Sequence, residues 1–550
     1  MAIEFPEKGG AVGGETKRIV VVGGNAAGAK AASRAKRYDP SAEVILVDRG
    51  NYFSYGACGI PSLVAGRIAE AKDLLTTPAG VIRDRNYFRQ VKGIDLRDET
   101  EAVEIHRANS TITLLHGRSG IMETIGYDRL ILATGSTAAI PPIENLGCPS
   151  ILTLKTLDDA LRLRDKAIAG RAACIVGGGL IGLETADALK RRGMSVTVVE
   201  MREQLLPGIL DRELAGLLER YLSQQGVTVL KCATVVGFDG GNRVERAITT
   251  QGNVPADLVI LAPGVVPNVT LAEAAGIALG PTGAIAVNPQ MQTSDPNIFA
   301  CGDCCEVHHI LTAQPHYLPL GSTANKQGRV AGTNAAGGCE TFDGILGTII
   351  LRVFDFTMGR TGLSEEEAVA AGHSVVTSLV PASDRAHFLS ESRIITLKLI
   401  ADSKSGRVLG VQGVGHGVVD KRIDTAAAFI TMGGNINQLA GLDLAYAPPY
   451  STAIDPLQSA AHIINEKRRG RTKSISAEEV VRRLDSGEEL LILDVRTPEE
   501  HAEEWIDGSR LLPLAQLRQK LASLPRQIPI ITFCKTSLRG YEAEQILTAA

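Results

Sequence analysis

Residues 18–28 read RIVVVGGNAAG, and residues 172–182 read AACIVGGGLIG. Each stretch is an apolar strand that runs into a glycine-rich turn, and the first continues as the alanine-rich helix AKAASRAKR at 29–37. In both places a second strand follows and ends on an acid, VILVD at Asp48 and VTVVE at Glu200. A strand, glycine loop, helix and strand with a terminal acid form a dinucleotide-binding unit, and the chain repeats it. Gly23 and Gly177 permit the tight turn, while Gly28 and Gly182 let helix and strand approach closely. A pyrophosphate is then expected on free N–H groups at each helix N-terminus, with Asp48 and Glu200 accepting hydrogen bonds from a ribose. The loops differ at their middle position, Asn25 in the first and Gly179 in the second. Asparagine tolerates a positive φ better than most residues, so the first turn is expected to survive.

The chain has 550 residues, which at ~100–200 residues per domain predicts three to five domains. Lys plus Arg (57) against Asp plus Glu (61) gives a net charge of −4, so no global basic field points to nucleic acid. Aromatic residues are scarce, with one tryptophan, Trp505, which argues against base-stacking surfaces. No apolar run approaches the ~18–20 residues of a transmembrane helix. The opening MAIEFPEKGGAVGGETKR lacks the apolar core of a secretory signal, so neither a membrane nor export is expected. Nine scattered cysteines do not make a disulfide framework. A reducing cytoplasm is therefore expected, where a few thiols serve chemistry.

After residue 330 the texture changes. GTIILRVFDFTMGRTGLS and RIITLKLIADSKSGRVLGVQGVG alternate apolar and polar residues around a turn at DSKSG, which predicts an antiparallel sheet. A helical stretch, KRIDTAAAFITMGG, and the segment AYAPPYSTAIDPLQSAAHIINEKR follow. EKRRGRTK at 466–473 is basic and without apolar residues, and reads as a solvated linker. A fresh helix–strand alternation then begins near 474 as a small α/β domain.

Within SYGACGIP (54–61), Cys58 lies shortly after Asp48, on the side where a bound dinucleotide would lie. The plainer reading is a small core cysteine. The positions five residues away on either side are Phe53 and Leu63, so a local redox disulfide is excluded. A reactive Cys58 would pair with a small-molecule thiol, hold a persulfide or cycle through a sulfenic acid. Cys301, Cys304 and Cys305 with His308 and His309 superficially suggest a metal cluster, though no metal is expected. Cys148, Cys174, Cys232 and Cys339 are read as packing or loop residues.

Residues 18–465 resemble the single-cysteine branch of the pyridine nucleotide–disulfide oxidoreductases. VVVGGNAAG, SYGACGIP, LILATGS (130–136), IVGGGLIGLE (175–184), NIFACGD (297–303) and AYAPPYSTAIDP (445–456) carry the likeness in family order. It implies an α/β protein with two Rossmann-like, glutathione-reductase-like domains, an FAD-binding one at 18–150 with 275–335 and an NAD(P)H-binding one at 151–274. An α+β dimerisation domain at 336–465 would follow, and a homodimer with it. The resemblance implies FAD contacts from Gly23, Asn25, Gly28, Asp48, Arg49, Ala133, Thr134, Gly135 and Asp303. Gly177, Gly179, Gly182, Glu184, Glu200 and Gly264 complete the cofactor set on the NAD(P)H side. Glu200 favours NADH by repelling a 2′-phosphate, while nearby Arg202 keeps NADPH open. Tyr446 would reach the neighbouring subunit's active site. Lys30, Arg34, Arg37 and Ser54 fall where relatives bind coenzyme A; read from the residues alone, the three cations are equally a solvated helix face. Ala57 replaces a usual asparagine, Phe388 and Leu389 replace paired tyrosines, and Ile454 replaces a lysine, which puts coenzyme A disulfide in doubt as the best substrate.

LLILDVRTPEEH (490–501) followed by IITFCKTSLRGYEA (530–543) resembles a rhodanese, with Cys534 in a loop closed by Arg539. Loop N–H groups, Lys535 and Arg539 would stabilise a thiolate or persulfide there. Glu504–Trp505–Ile506 replaces the usual Gly-His-Ile, and the stretch from 474 to 550 is short for a complete rhodanese domain, so a truncated or shortened domain is expected. The expected function is FAD-dependent NAD(P)H reduction of small-molecule sulfur substrates (a persulfide, a polysulfide, or a disulfide or persulfide of coenzyme A) at Cys58, fed by Cys534. An NADH oxidase or peroxidase cycling through a sulfenic acid is the alternative, and a non-catalytic flavin-bound sulfur carrier or redox sensor a third.

Overall fold

The strand Arg18–Val22 forms the centre of a five-stranded parallel sheet in the order Ile298–Ala300, Arg129–Leu132, Arg18–Val22, Glu43–Val47, Asp95–Arg97. A second parallel sheet repeats the design in the order Val227–Leu230, Ser195–Val199, Ala172–Val176, Leu258–Leu261, Ile151–Thr153. Near-continuous apolar strands such as RIVVV and AACIV suit sheets covered on both faces, and their side chains are almost wholly buried. The computed structural model describes residues 16–550 apart from Asn145 and Asn242. The chain divides into two units, Met1–Leu206 with Glu219–Ile345, and Pro207–Leu218 with Leu346–Ala550.

In the first unit, helix Ala26–Tyr38 buries Ala27, Gly28, Ala29, Ala31, Ala32 and Ala35. It lies against helix Gly321–Ala335, where methyl groups at Gly328 and Gly332 would overlap the carbonyl oxygens of Ala27 and Ala31. This close crossing of small residues holds the cysteine-bearing loop and the Asp303 segment on the same side of the first sheet. A three-stranded antiparallel sheet hangs from each parallel one: Thr100–His106, Thr111–His116 and Met122–Gly126 from the first, Val235–Asp239, Arg246–Thr249 and Gly252–Pro255 from the second.

The second unit is built on a five-stranded antiparallel sheet, Ile349–Val353, Phe356–Gly362, Val408–Gly415, Ile394–Asp402, Val375–Ser383, as the alternation predicts. Asp402 closes the expected DSKSG turn by accepting from Lys404 and Ser405. Pro207–Leu218, inside the stretch read as 151–274, lies with this unit. The buried Lys398 ammonium meets Asp211 at 2.9 Å, Glu213 at 3.2 Å and Glu365 at 2.6 Å.

A smaller parallel sheet, Arg510–Leu511, Leu491–Asp494, Ile530–Phe533, carries the C-terminal helices. The basic segment 466–473 is only partly a linker. Helix Pro456–Arg468 continues through its first residues, and Glu544 accepts hydrogen bonds from the Thr472 hydroxyl and, at 2.6 Å, from the Lys473 N–H. No helix among the described residues is long and apolar enough to cross a membrane.

Candidate active site

The two glycine loops have the same construction. Gly23 (φ +108°) and Gly177 (φ +112°) take the left-handed conformation that glycine favours. A methyl group at Gly28 would overlap the Gly23 carbonyl oxygen, and one at Gly182 the Gly177 carbonyl oxygen. Asn25 has φ −97°, so the tolerance of asparagine for positive φ is not called upon; the turn is made two residues earlier, at Gly23. Asp48 accepts from the Gly24 N–H at 2.5 Å and the Gly50 N–H at 2.7 Å, and Glu200 from Gly178 at 2.7 Å and Arg202 at 2.8 Å. Both acids therefore brace their own loops. Arg49 is largely exposed and pairs with Glu101 at 3.6 Å.

These loops fit nucleotides on features of their own. The side-chain amide oxygen of Asn25 is buried without a hydrogen-bond partner. Methyl groups at Gly135, Gly179 and Gly264 would meet nothing within 4 Å, so space stands open at the second loop and at the turns of Gly135 and Gly264. Ala133 donates to the Val22 carbonyl at 2.8 Å, and Thr134 is locked to Asn268 by reciprocal bonds of 2.7 and 2.8 Å. The Asp303 carboxylate accepts from Ser136 at 2.9 Å and from the Lys155 ammonium at 3.1 Å. Cys301, Cys304 and Cys305 are buried, with Cys304 and Cys305 directed at backbone carbonyls.

Cys58 sits on the exposed turn Ala57–Gly59, and all nine cysteines are free. Its sulfur faces the first turn of helix Gly321–Ala335: a methyl group at Gly321 would lie 3.5 Å from it. That helix N-terminus favours an anion at the sulfur. The protein's other groups weigh the other way. Burial and the Glu184 and Asp303 carboxylates push the Cys58 thiol up, against its backbone N–H and Lys155. Glu184 is itself pushed up to about 7, by burial and then by Asp187.

Beside this turn a cavity of about 350 Å³ opens, walled by Lys30, Arg37, Arg83 and Lys92, by Tyr87 and Phe88, and by Ser54, Tyr55 and Gly56. Ser54 adopts φ +48°, an uncommon conformation for a serine, and its carbonyl is held by the Arg83 guanidinium at 2.6 Å. Lys30, Arg37 and Ser54 thus line one cavity. Arg34 does not join them: it donates to Thr333 at 2.7 Å and pairs with Glu340 at 2.8 Å, one step round the same helix. Sequence reasoning missed Arg83, Tyr87 and Lys92, although the run RDRNYFRQVK at 83–92 interleaves cations with aromatics.

In the second unit Tyr446 is half exposed on the segment before helix Pro456–Arg468. Arg422 fastens that segment from below, fully buried, bonding Asp455 at 2.8 Å, Ser451 at 3.3 Å and the Asp384 carbonyl at 2.8 Å. Cys534 is half-buried at the end of strand Ile530–Phe533 and accepts from the Gly540 N–H at 3.4 Å. Arg539 gives its two amino groups to Glu500, at 2.6 and 2.8 Å.

The sequence of residues 17–328 matches the pyridine nucleotide-disulphide oxidoreductase family, and 350–457 that family's dimerisation domain. The chain belongs to this family. Residues 476–550 match the rhodanese-like domain. An NAD-dependent persulfide reductase from A. fulgidus is 41% identical, with a TM-score of 0.92 over 97% of both chains. The reduced CoADR-RHD of Bacillus anthracis is 33% identical, with a TM-score of 0.91 over 97% of this chain and 95% of that one. An NAD(P)H sulfur oxidoreductase (CoA-dependent) of Pyrococcus furiosus is 37% identical over 82% of this chain and 99% of its own. The chain is thus an enzyme of the pyridine nucleotide-disulphide oxidoreductase family, with the FAD and NAD(P)H requirement that goes with it.

Proposed function

We propose that this chain reduces persulfides and polysulfides, including those carried on coenzyme A, with NAD(P)H, using Cys58 as its one redox sulfur. The observation that carries this reading is the free Cys58 sulfur at a helix N-terminus beside a cavity walled by four cations and two aromatic rings. Lys30, Arg37, Arg83 and Lys92 suit the phosphates of coenzyme A, and Tyr87 its adenine. Gly56, in the cavity wall two residues before Cys58, lies where the thiol end would arrive.

Gly23, Gly28, Asp48, Thr134, Gly135 and Asp303 would hold FAD, and Gly177, Gly179, Gly182, Glu184 and Glu200 the nicotinamide nucleotide. When bound, these cofactors supply a two-electron reduction. The Cys58 thiolate attacks a persulfide R–S–SH at either sulfur. Attack at the inner sulfur forms Cys58–S–S–R and releases hydrosulfide; attack at the outer sulfur forms Cys58–S–SH and releases the thiolate R–S⁻. In both cases one electron pair returns Cys58 to the thiolate. The Gly321–Ala335 N-terminus steadies that anion, and the anionic Glu200 selects NADH over NADPH.

Cys534 would accept sulfane sulfur and pass it to Cys58, favoured by the high effective concentration that one chain gives two sites. The enzyme works in the cytoplasm as a homodimer in which Tyr446 completes the partner's site. The dimerisation-domain match and the exposed Tyr446 support this arrangement. The reading is tested by anaerobic NADH and NADPH turnover with polysulfide, coenzyme A persulfide and coenzyme A disulfide side by side. Persulfide and polysulfide are expected to turn over fastest, and Cys534→Ser to slow only some donors. Equal loss with every donor would make Cys534 a structural residue.

A further inference from the structure

The Cys534 loop has an unusual charge arrangement. Arg539, five residues after the cysteine, is the guanidinium that could receive an anionic sulfur donor; it reaches the Cys534 sulfur, but both its amino groups are held by the two oxygens of Glu500. Glu500 is itself fixed, because its carboxylate also accepts from the Thr497 N–H at 3.0 Å as the capping residue of helix Pro498–Glu503. Arg539, the Thr497 N–H and Lys535 hold its carboxyl down to about 2, so it stays an anion throughout the working range.

The second arginine nearby, Arg496, is likewise taken by the fully buried Asp494, at 2.7 Å. Lys535 is exposed and has no carboxylate within ion-pair distance among the described residues. Around the Glu500–Arg539 pair the surface is acidic and apolar. Glu499, Glu503, Glu504 and Asp507 are exposed on one side, with Trp505 and Ile506 among them. Leu538 and Tyr541 are exposed on either side of Arg539, Leu538 by 62%.

A dianion such as thiosulfate needs at least two unspent cations to be drawn in and to have its departing sulfite stabilised. This loop offers one, opposed by a fixed carboxylate. A persulfide on an uncharged organic thiol brings a single charge at the reacting end and an apolar arm that Trp505, Leu538 and Tyr541 can cover.

We propose that the Cys534 site takes sulfur from organic persulfides and discriminates against thiosulfate, with Glu500 as the specificity-determining residue. The proposal rests on the reading of Cys534 as a sulfur acceptor. In the transfer, the Cys534 thiolate attacks the outer sulfur of R–S–SH; the new Sγ–S bond forms, the R–S bond to that sulfur breaks, and R–S⁻ leaves with the electron pair. Cys534–S–SH keeps the proton, and no electrons are exchanged with the solvent.

The test uses the full chain with Cys58→Ser, so that loaded sulfur is retained, and follows the mass of the Cys534 peptide after mixing with thiosulfate or with N-acetylcysteamine persulfide. The persulfide is expected to load at least about tenfold faster. Glu500→Gln, which leaves Arg539 without its counter-charge, is expected to raise the thiosulfate rate about tenfold and to leave the persulfide rate within about twofold. Salt provides a reading independent of how the variant folds: thiosulfate loading of the chain with native Glu500 should speed up as ionic strength rises, because a like-charge encounter is being screened. Thiosulfate loading as fast as the persulfide, slowing with salt, or an unchanged ratio in Glu500→Gln would each overturn the proposal while leaving sulfur transfer at Cys534 intact. Loading by neither donor would remove both.

Discussion

Cys58 is held by opposing influences that its neighbours make measurable. Burial and the carboxylates of Glu184 and Asp303 raise its thiol, while the helix N-terminus at Gly321 favours the anion. Alkylation of Cys58 by iodoacetamide should therefore climb with pH through a midpoint above that of an ordinary cysteine. Glu184, pushed up to about 7, ionises across the neutral range, so its effect on the thiol grows as pH rises through that value. Glu184→Gln should lower the alkylation midpoint, and an unchanged midpoint would show that burial and Asp303 set it without Glu184. At this scale the sequence was legible where chemistry depends on a position in a motif, as for Cys58, Asp48 and Glu200. It was misleading where the helix face decides: Arg34 shares a helix with Lys30 and Arg37, but it turns to Glu340. The thiol's electrostatics were also hidden, because Glu184 and Asp303 are brought to Cys58 only by the fold.

The two glycine loops are alike in construction, but the proposed function gives them different ligands, and that separates their variants. In Gly28→Ala the added methyl meets the Gly23 carbonyl, so the protein should purify with most of its flavin lost. In Gly182→Ala the clash falls on Gly177, so flavin absorbance should persist while the KM for NADH rises about tenfold or more. Colour and kinetics measured on the same two preparations check both outcomes. Beneath the Tyr446 segment, the buried Arg422–Asp455 pair spans a helix and a loop. Arg422→Met leaves Asp455 charged and unpaired, and should destabilise the second unit by about 3–5 kcal/mol in denaturant titration. Strands and helices were legible from periodicity, including the antiparallel sheet around DSKSG. The lodging of Pro207–Leu218 with the second unit was not, since it depends on Lys398 drawing together Asp211, Glu213 and Glu365 from distant parts of the chain. The tie on the basic segment 466–473 was hidden for a similar reason: Glu544, far along the sequence, bonds Thr472 and Lys473.

For the whole molecule, repetition of the dinucleotide unit and the two cysteine loops made the order of parts legible, because each part carries its own local signature. How the parts exchange sulfur depends on assembly. Light scattering should give twice the chain mass, and Tyr446→Phe should slow persulfide turnover without dissociating that dimer. The account's central claim is that Cys58 reduces sulfane sulfur and does not primarily serve oxygen. It is tested most directly by counting sulfide released per NADH consumed with an organic persulfide under anaerobic conditions, for the native chain and for Cys58→Ser with its flavin bound. The account predicts about one sulfide per NADH in the native chain and none in the variant, with oxygen consumed far more slowly than persulfide. Faster turnover with oxygen or peroxide than with persulfide, or sulfide release that survives Cys58→Ser, would contradict it.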